Sequence, residues 1–97
     1  MFYHRFSKSE GHKVLAVCDE DILGEVIEDG DILFEVKKSF YGGDLIARDD
    51  LVEMAEKSTV INAVGNEVVD LLVENNFFDG NKVLFIDDVK HAQFVKI

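Results

Sequence analysis

A chain of 97 residues with 47% hydrophobic side chains, eight Phe and two Tyr among them, suffices for one domain with a single core and is too short for a multidomain machine. Lys plus Arg is 10 against 20 Asp plus Glu, and the net charge of −10 excludes binding driven by broad phosphate neutralisation, favouring a cationic partner or a metal ion. The single cysteine, Cys18, excludes an internal disulfide, and with no signal-like opening and no apolar run near the roughly 20 residues of a membrane span, a cytoplasmic protein without a membrane role is expected.

Phe2 to Phe6 and Lys13 to Asp19 read as two strands joined by the turn-rich Ser7 to Gly11, an antiparallel hairpin. In the second strand Val14, Ala16 and Cys18 point one way and Leu15 and Val17 the other, so both faces are apolar and the strand is expected at the centre of a sheet. The acidic stretch Glu20 to Gly30 reads as a connection with one helical turn. Asp31 to Lys37 then alternates, with Ile32, Phe34 and Val36 on the face to be buried.

After Ser39 to Gly43 the period shifts towards 3.6. Leu51, Met54 and Ala55 share a helical face, with Asp49 and Asp50 at its start and Lys57 at its end, where each suits the helix dipole. A longer helix is predicted from Ile61, Val64, Val68, Leu71 and Leu72, capped by Ser58 or Thr59, carrying Gly65 inside and ended by Asn75 or Asn76. Lys82 to Ile86 and Ala92 to Ile97 close the chain as strands around a turn at Asp87 to His91. The order β-β-β-α-α-β-β over residues 1–97 predicts an α+β two-layer sandwich, two helices on one face of a largely antiparallel sheet.

Short stretches stand in sequence: Ala16-Val17-Cys18-Asp19-Glu20 with Leu23-Gly24, Ser39-Phe40-Tyr41-Gly42-Gly43, Asn62 with Gly65, and His91-Ala92-Gln93. Together they resemble the archaeal family known as domain of unknown function 424, across nearly the whole chain. One departure is Asp87-Asp88 where a glycine is expected. The resemblance implies a small cytoplasmic archaeal protein, of a kind similar to companions of the translation machinery.

Among candidate sites, residues 14–35 hold eight acids and no Lys or Arg. Asp19, Asp21 and Gly24 occupy positions one, three and six of a calcium-loop pattern, making Asp19 and Asp21 the candidate ligands for Ca or Mg. Leu23 and Gly30 break that pattern, and a solvated acidic surface that steers a basic protein is the simpler reading; no cofactor is predicted.

Gly42-Gly43, preceded by Lys37, Lys38, Ser39, Phe40 and Tyr41, has the composition of an anion cradle, yet it lacks the spacing of a phosphate loop and Asp44 follows it. A tight turn with Phe40 or Tyr41 tucked into the core is the plainer alternative. Cys18 and His91 are the chemical pair to weigh for thiolate catalysis, against a cysteine that is a small buried hydrophobe. His4 and His12 flank the first loop without the spacing of a zinc site.

The leading expectation is a non-enzymatic module that contacts a basic protein partner through Ser39, Phe40, Tyr41, Gly42 and Gly43, with Asn62, His91 and Gln93 beside them. A small metal- or Cys/His-dependent enzyme is the alternative. RNA binding ranks third, through a strip of Arg5, Lys8, Lys13, Lys37 and Lys38 that must overcome the net charge. The oligomeric state is open, since the edges of such a sheet can pair between chains.

Overall fold

Glu10 and Gly11, at φ of 50° and 82°, form a two-residue turn whose handedness suits twisted strands, and it joins β1 (Phe2–Ser9) to β2 (His12–Asp19) in an antiparallel hairpin. The structure is a computed structural model that describes residues 1–96, so Ile97, the expected end of the last strand, lies outside the described residues. After a 3₁₀ turn at Glu20–Ile22 come β3 (Val26–Asp29) and β4 (Ile32–Glu35), then the one-turn helix α1 (Lys38–Tyr41) and the short strand β5 (Asp44–Ile46). The remainder is α2 (Arg48–Lys57), β6 (Val60–Val64), α3 (Asn66–Glu74), a 3₁₀ turn at Gly80–Lys82, β7 (Leu84–Ile86) and β8 (Val89–Val95).

Six strands form one sheet in the order β5-β1-β2-β6-β8-β7, antiparallel throughout except for β2 and β6. The fold is α+β with a largely antiparallel sheet, and β2 lies centrally as its two apolar faces require. α2 and α3 cover one face, where Leu51, Ala55, Val68 and Leu72 pack on Leu15, Val17, Ile61 and Ala63. Each fully buried Leu or Val there contributes about 1.5–3 kcal/mol by leaving water.

The element order departs from the seven elements expected: Glu20 to Gly30, expected as a connection, contains strand β3, α1 and β5 are additional, and three further differences shape the sheet faces. Val60–Val64 is a strand, not the start of the long helix: Ile61 and Ala63 face the helices while Asn62 and Val64 face the other way. The helix begins only after Gly65, whose φ of 125° no side chain adopts comfortably and where a Cβ would strike the Asp19 carboxyl group. Ser58 and Thr59 are therefore not its caps. Ser58 ends α2, its hydroxyl donating to the Met54 carbonyl at 2.9 Å, and Thr59 Oγ1 accepts the Lys13 backbone N–H at 2.8 Å.

The second difference is that β4 does not join the main sheet. It pairs only with β3, and this two-stranded hairpin lies with α1 over the other face of the large sheet. Ala16, Cys18 and Val64 form a second small core there with Val36 and Tyr41, so the sheet is covered on both sides at this end. The third is the last turn: only Asp87 and Asp88 separate β7 from β8, with Asp87 at φ 55° taking the conformation a glycine would favour. Expected endings do hold at α3, where Asn75 is the C-cap and Asn76 has φ 65°.

No helix among the described residues is long and apolar enough to cross a membrane.

Candidate functional site

Register places the sheet face opposite α2 and α3 in rows. One row runs Arg5, Ala16, Asn62, Gln93 across β1, β2, β6 and β8; the next runs Tyr3, Cys18, Val64, His91. α1 sits over this face and is fixed to it at its C-terminal end by two bonds. The Tyr41 hydroxyl donates to Asn62 Oδ1 at 2.6 Å, and Arg5 Nη2 donates to the Gly42 carbonyl.

Tyr41 and Asn62 are thus brought together although they are 21 residues apart. Tyr41 is buried and its neighbour Phe40 is 42% exposed, their rings meeting edge to face at 4.8 Å. Burial, with a smaller contribution from the nearby Cys18, pushes the Tyr41 hydroxyl up to about 12, so it remains a donor. The Gly42 N–H donates to the Lys38 carbonyl at 2.9 Å and is not free for an anion. A Cβ on Gly43 would strike the His4 carbonyl oxygen, so that glycine serves the close approach of the chain to β1.

Beside α1 lies a cleft of about 400 Å³ lined by Phe34, Glu35, Lys37, Ser39, Phe40 and Tyr41. Phe34 also meets the His91 ring edge to face at 5.5 Å. It links the two groups of candidate residues, a role that its alternating strand pattern did not disclose. His91 is half-buried and loss of solvation lowers its imidazole below the ordinary value, favouring the neutral ring. Gln93 is exposed beside Asn62.

Cys18 and His91 lie in one row, but β6 separates their strands, a span of about 10 Å for two inter-strand steps. The thiol is buried, and burial together with the Asp19 and Asp21 carboxylates pushes it up to about 12, far from a thiolate at neutral pH. His4 and His12 are not neighbours: His4 Nδ1 lies 2.8 Å from the Asp44 carbonyl oxygen, and His12 Nδ1 lies 3.2 Å from Thr59 Oγ1.

Asp19 has a different task from the one its spacing suggested. Its two carboxylate oxygens accept the backbone N–H groups of Glu67 at 3.0 Å and Val68 at 2.8 Å, capping α3 from a distant strand. Burial raises its carboxyl above the ordinary value, against the lowering effect of those two bonds. Asp21 is exposed by the Glu20 and Glu67 side chains, and no group of three or more His, Cys, Asp or Glu among the described residues could hold a metal ion.

The charge is polarised along the strands. One end carries Glu20, Asp21 and Glu67 together with the β3–β4 hairpin, whose Glu25, Glu28, Asp29, Asp31 and Glu35 are all exposed; Asp87 and Asp88 adjoin it, the Asp87 N–H donating to Asp29 Oδ2 at 2.9 Å. The other end carries Lys8, directly opposite Lys13, with Thr59 and Lys96 continuing the row. Like charges placed opposite one another destabilise a sheet, and a polar strand end is where that cost is smallest.

Among curated proteins none matches the chain. A solved structure does, that of an uncharacterized conserved protein from Methanopyrus kandleri: it is 20% identical, aligns over 99% of this chain and 93% of its own, and superposes with a TM-score of 0.81, which is a likeness of fold. The model of the family described as protein of unknown function, DUF424, matches residues 7–97, and the chain belongs to DUF424.

Proposed function

We propose that this protein is a non-enzymatic, cytoplasmic interaction module that binds a basic protein partner on the face formed by α1, the β3–β4 hairpin and the adjoining edge of the sheet. The observation that carries this reading is the continuity of Phe40, the 400 Å³ cleft, Phe34 and His91, bordered by the exposed acids of the hairpin. An exposed aromatic held by a rigid neighbour makes a good anchor, since little freedom is lost on binding, and the acids speed encounter with a cationic surface. The proteins of the translation machinery, the association that the family resemblance implies, include partners of that chemistry.

RNA binding is the second reading, favoured by one observation, the row of Lys8, Lys13 and Lys96 at the opposite end, which makes no ion pair among the described residues. Affinity purification from native extract, with and without nuclease, separates the two. A protein partner is retained after nuclease, weakens as salt is raised, and is lost with Phe40→Ser. Loss on nuclease treatment alone, or retention by Phe40→Ser, rejects the protein-binding face.

A further inference from the structure

The alternation of β4 predicts that Ile32, Phe34 and Val36 are buried together, and the structure buries Val36, half-buries Phe34 and leaves Ile32 60% exposed. Across the gap, Leu84 on β7 is 64% exposed, and its neighbour Phe85, 61% exposed, points to the other face beside Asp70 and Val73 of α3. Leu84 is the register partner of His91, and Phe34 meets His91 edge to face, so Ile32, Phe34, His91 and Leu84 form one apolar step between hairpin and sheet.

β7 is also an edge. It pairs only with β8, and among the described residues the backbone of Leu84–Ile86 makes no other hydrogen bond. A two-residue turn closes on a hydrogen-bonded pair, here Ile86 with Val89, and the antiparallel pattern then alternates. Phe85 is accordingly a non-bonded pair with Lys90, and its own N–H and C=O point to the open side.

The charge around this edge selects the occupant. Asp29, Asp31, Asp87 and Asp88 gather at its turn end. Of the nearby cations, Lys90 is neutralised by Asp70 at 2.6 Å, while Lys82 lies at the far end. A second copy paired antiparallel would offer these acids only its single Lys82, whereas a lysine- or arginine-rich segment offers several cations, so the segment matches the edge better than the chain itself does.

We infer that β7 and the Ile32–Leu84 step receive an extended, lysine- or arginine-rich segment of a protein partner, which adds a short strand to the edge and seats an apolar side chain in the step. This rests on the proposed interaction module and specifies where and in what conformation its partner binds. Backbone pairing at Phe85 fixes register, apolar side chains on alternate positions enter the step, and cationic ones meet the acids of the two turns.

The test titrates the isotopically labelled protein with a short synthetic peptide of alternating lysine and valine, and in parallel with its glutamate-valine counterpart, followed by NMR. The expected result is saturable shifts at Ile32, Leu84 and Phe85, slowed exchange of the Phe85 amide, and no response to the acidic peptide. Leu84→Glu, at a site already exposed, should weaken binding by about tenfold or more, and Asp87→Asn with Asp88→Asn by about threefold with a shallower salt dependence. Leu45→Ser, at an exposed position on β5 at the opposite edge of the sheet, should leave peptide binding unchanged. Shifts confined to the Phe40 cleft overturn the inference while the interaction module stands; equal binding of the acidic peptide, absence of saturable shifts, or protection of Phe85 by self-association without peptide each overturn it as well. The module itself is judged separately, by the nuclease-treated purification.

Discussion

The Tyr41 hydroxyl donates to Asn62 Oδ1 at 2.6 Å, and this one bond ties the helix that carries Phe40 to the middle of the sheet. Its two ends are not equivalent. Tyr41→Phe removes the donor and leaves a half-buried amide oxygen that water can still reach, at a cost of about 0.5–1.5 kcal/mol. Asn62→Ala leaves a buried hydroxyl without a partner and should cost about 1–3 kcal/mol. Urea unfolding of the two variants checks the order; an Asn62→Ala protein as stable as Tyr41→Phe means that the hydroxyl finds another acceptor.

Gly65 and Asp19 make a second coupled pair. Gly65→Ala forces a φ of 125° on a residue with a side chain and drives that Cβ into the Asp19 carboxyl group, for a loss on the order of 3 kcal/mol. Asp19→Ala frees the N–H groups of Glu67 and Val68 and should cost about 1–2 kcal/mol. In the double variant the clash is gone and the lost cap and the backbone penalty remain, so the combined loss should fall short of the sum by about 1 kcal/mol or more. Strict additivity in a urea-melt cycle refutes the contact.

Much of this was legible in the sequence because it rests on local pattern. The two apolar faces of β2, the charges at the ends of α2 and the Asn pair after α3 each act within a few residues. β6 was not legible: Ile61, Val64 and Val68 fit a 3.6 period by accident of a strand, a glycine and a helix following in succession. The capping role of Asp19 depends on contacts 48 and 49 residues away, which no spacing rule reaches. Of the candidate site, the turn at residues 39–43 and its companions Asn62, His91 and Gln93 were marked by residue type and by the family resemblance. The link through Phe34 and the exposure of Ile32 follow from β4 pairing with β3 instead of the main sheet, a choice of tertiary packing.

Acidification should weaken the fold through His91. Loss of solvation holds its folded-state value below the ordinary 6.5, so the unfolded chain binds the proton more readily. Stability is complete above about pH 6.5 and declines as the pH falls towards the folded value. Asp19 acts in the opposite sense: its folded value is raised above 3.8, so between 3.8 and that higher value its protonation favours the folded state. Urea midpoints measured from about pH 7.5 down to about pH 5 should decline in the parent protein, and His91→Gln should flatten that decline. An unchanged slope in His91→Gln assigns the pH dependence elsewhere.

Labelling of Cys18 can report whether α1 lifts from the sheet on its own. The thiol shares a small core with Ala16, Val36, Tyr41 and Val64, and its raised value of about 12 leaves almost no thiolate even when a reagent approaches. Native labelling with a disulfide reagent should therefore be slower than in urea by about a thousandfold or more, since reaction waits for opening. If the opening is local, Asn62→Ala weakens the anchor of α1 and should speed labelling by about fivefold for each kcal/mol lost. Leu72→Ala, in the core under α3 on the opposite face, lowers global stability by about 2–5 kcal/mol and should leave the rate nearly unchanged as long as local opening dominates. Acceleration by Leu72→Ala in proportion to its lost stability identifies global unfolding as the route, and α1 is then a fixed part of the sheet face and not a mobile element of the binding surface.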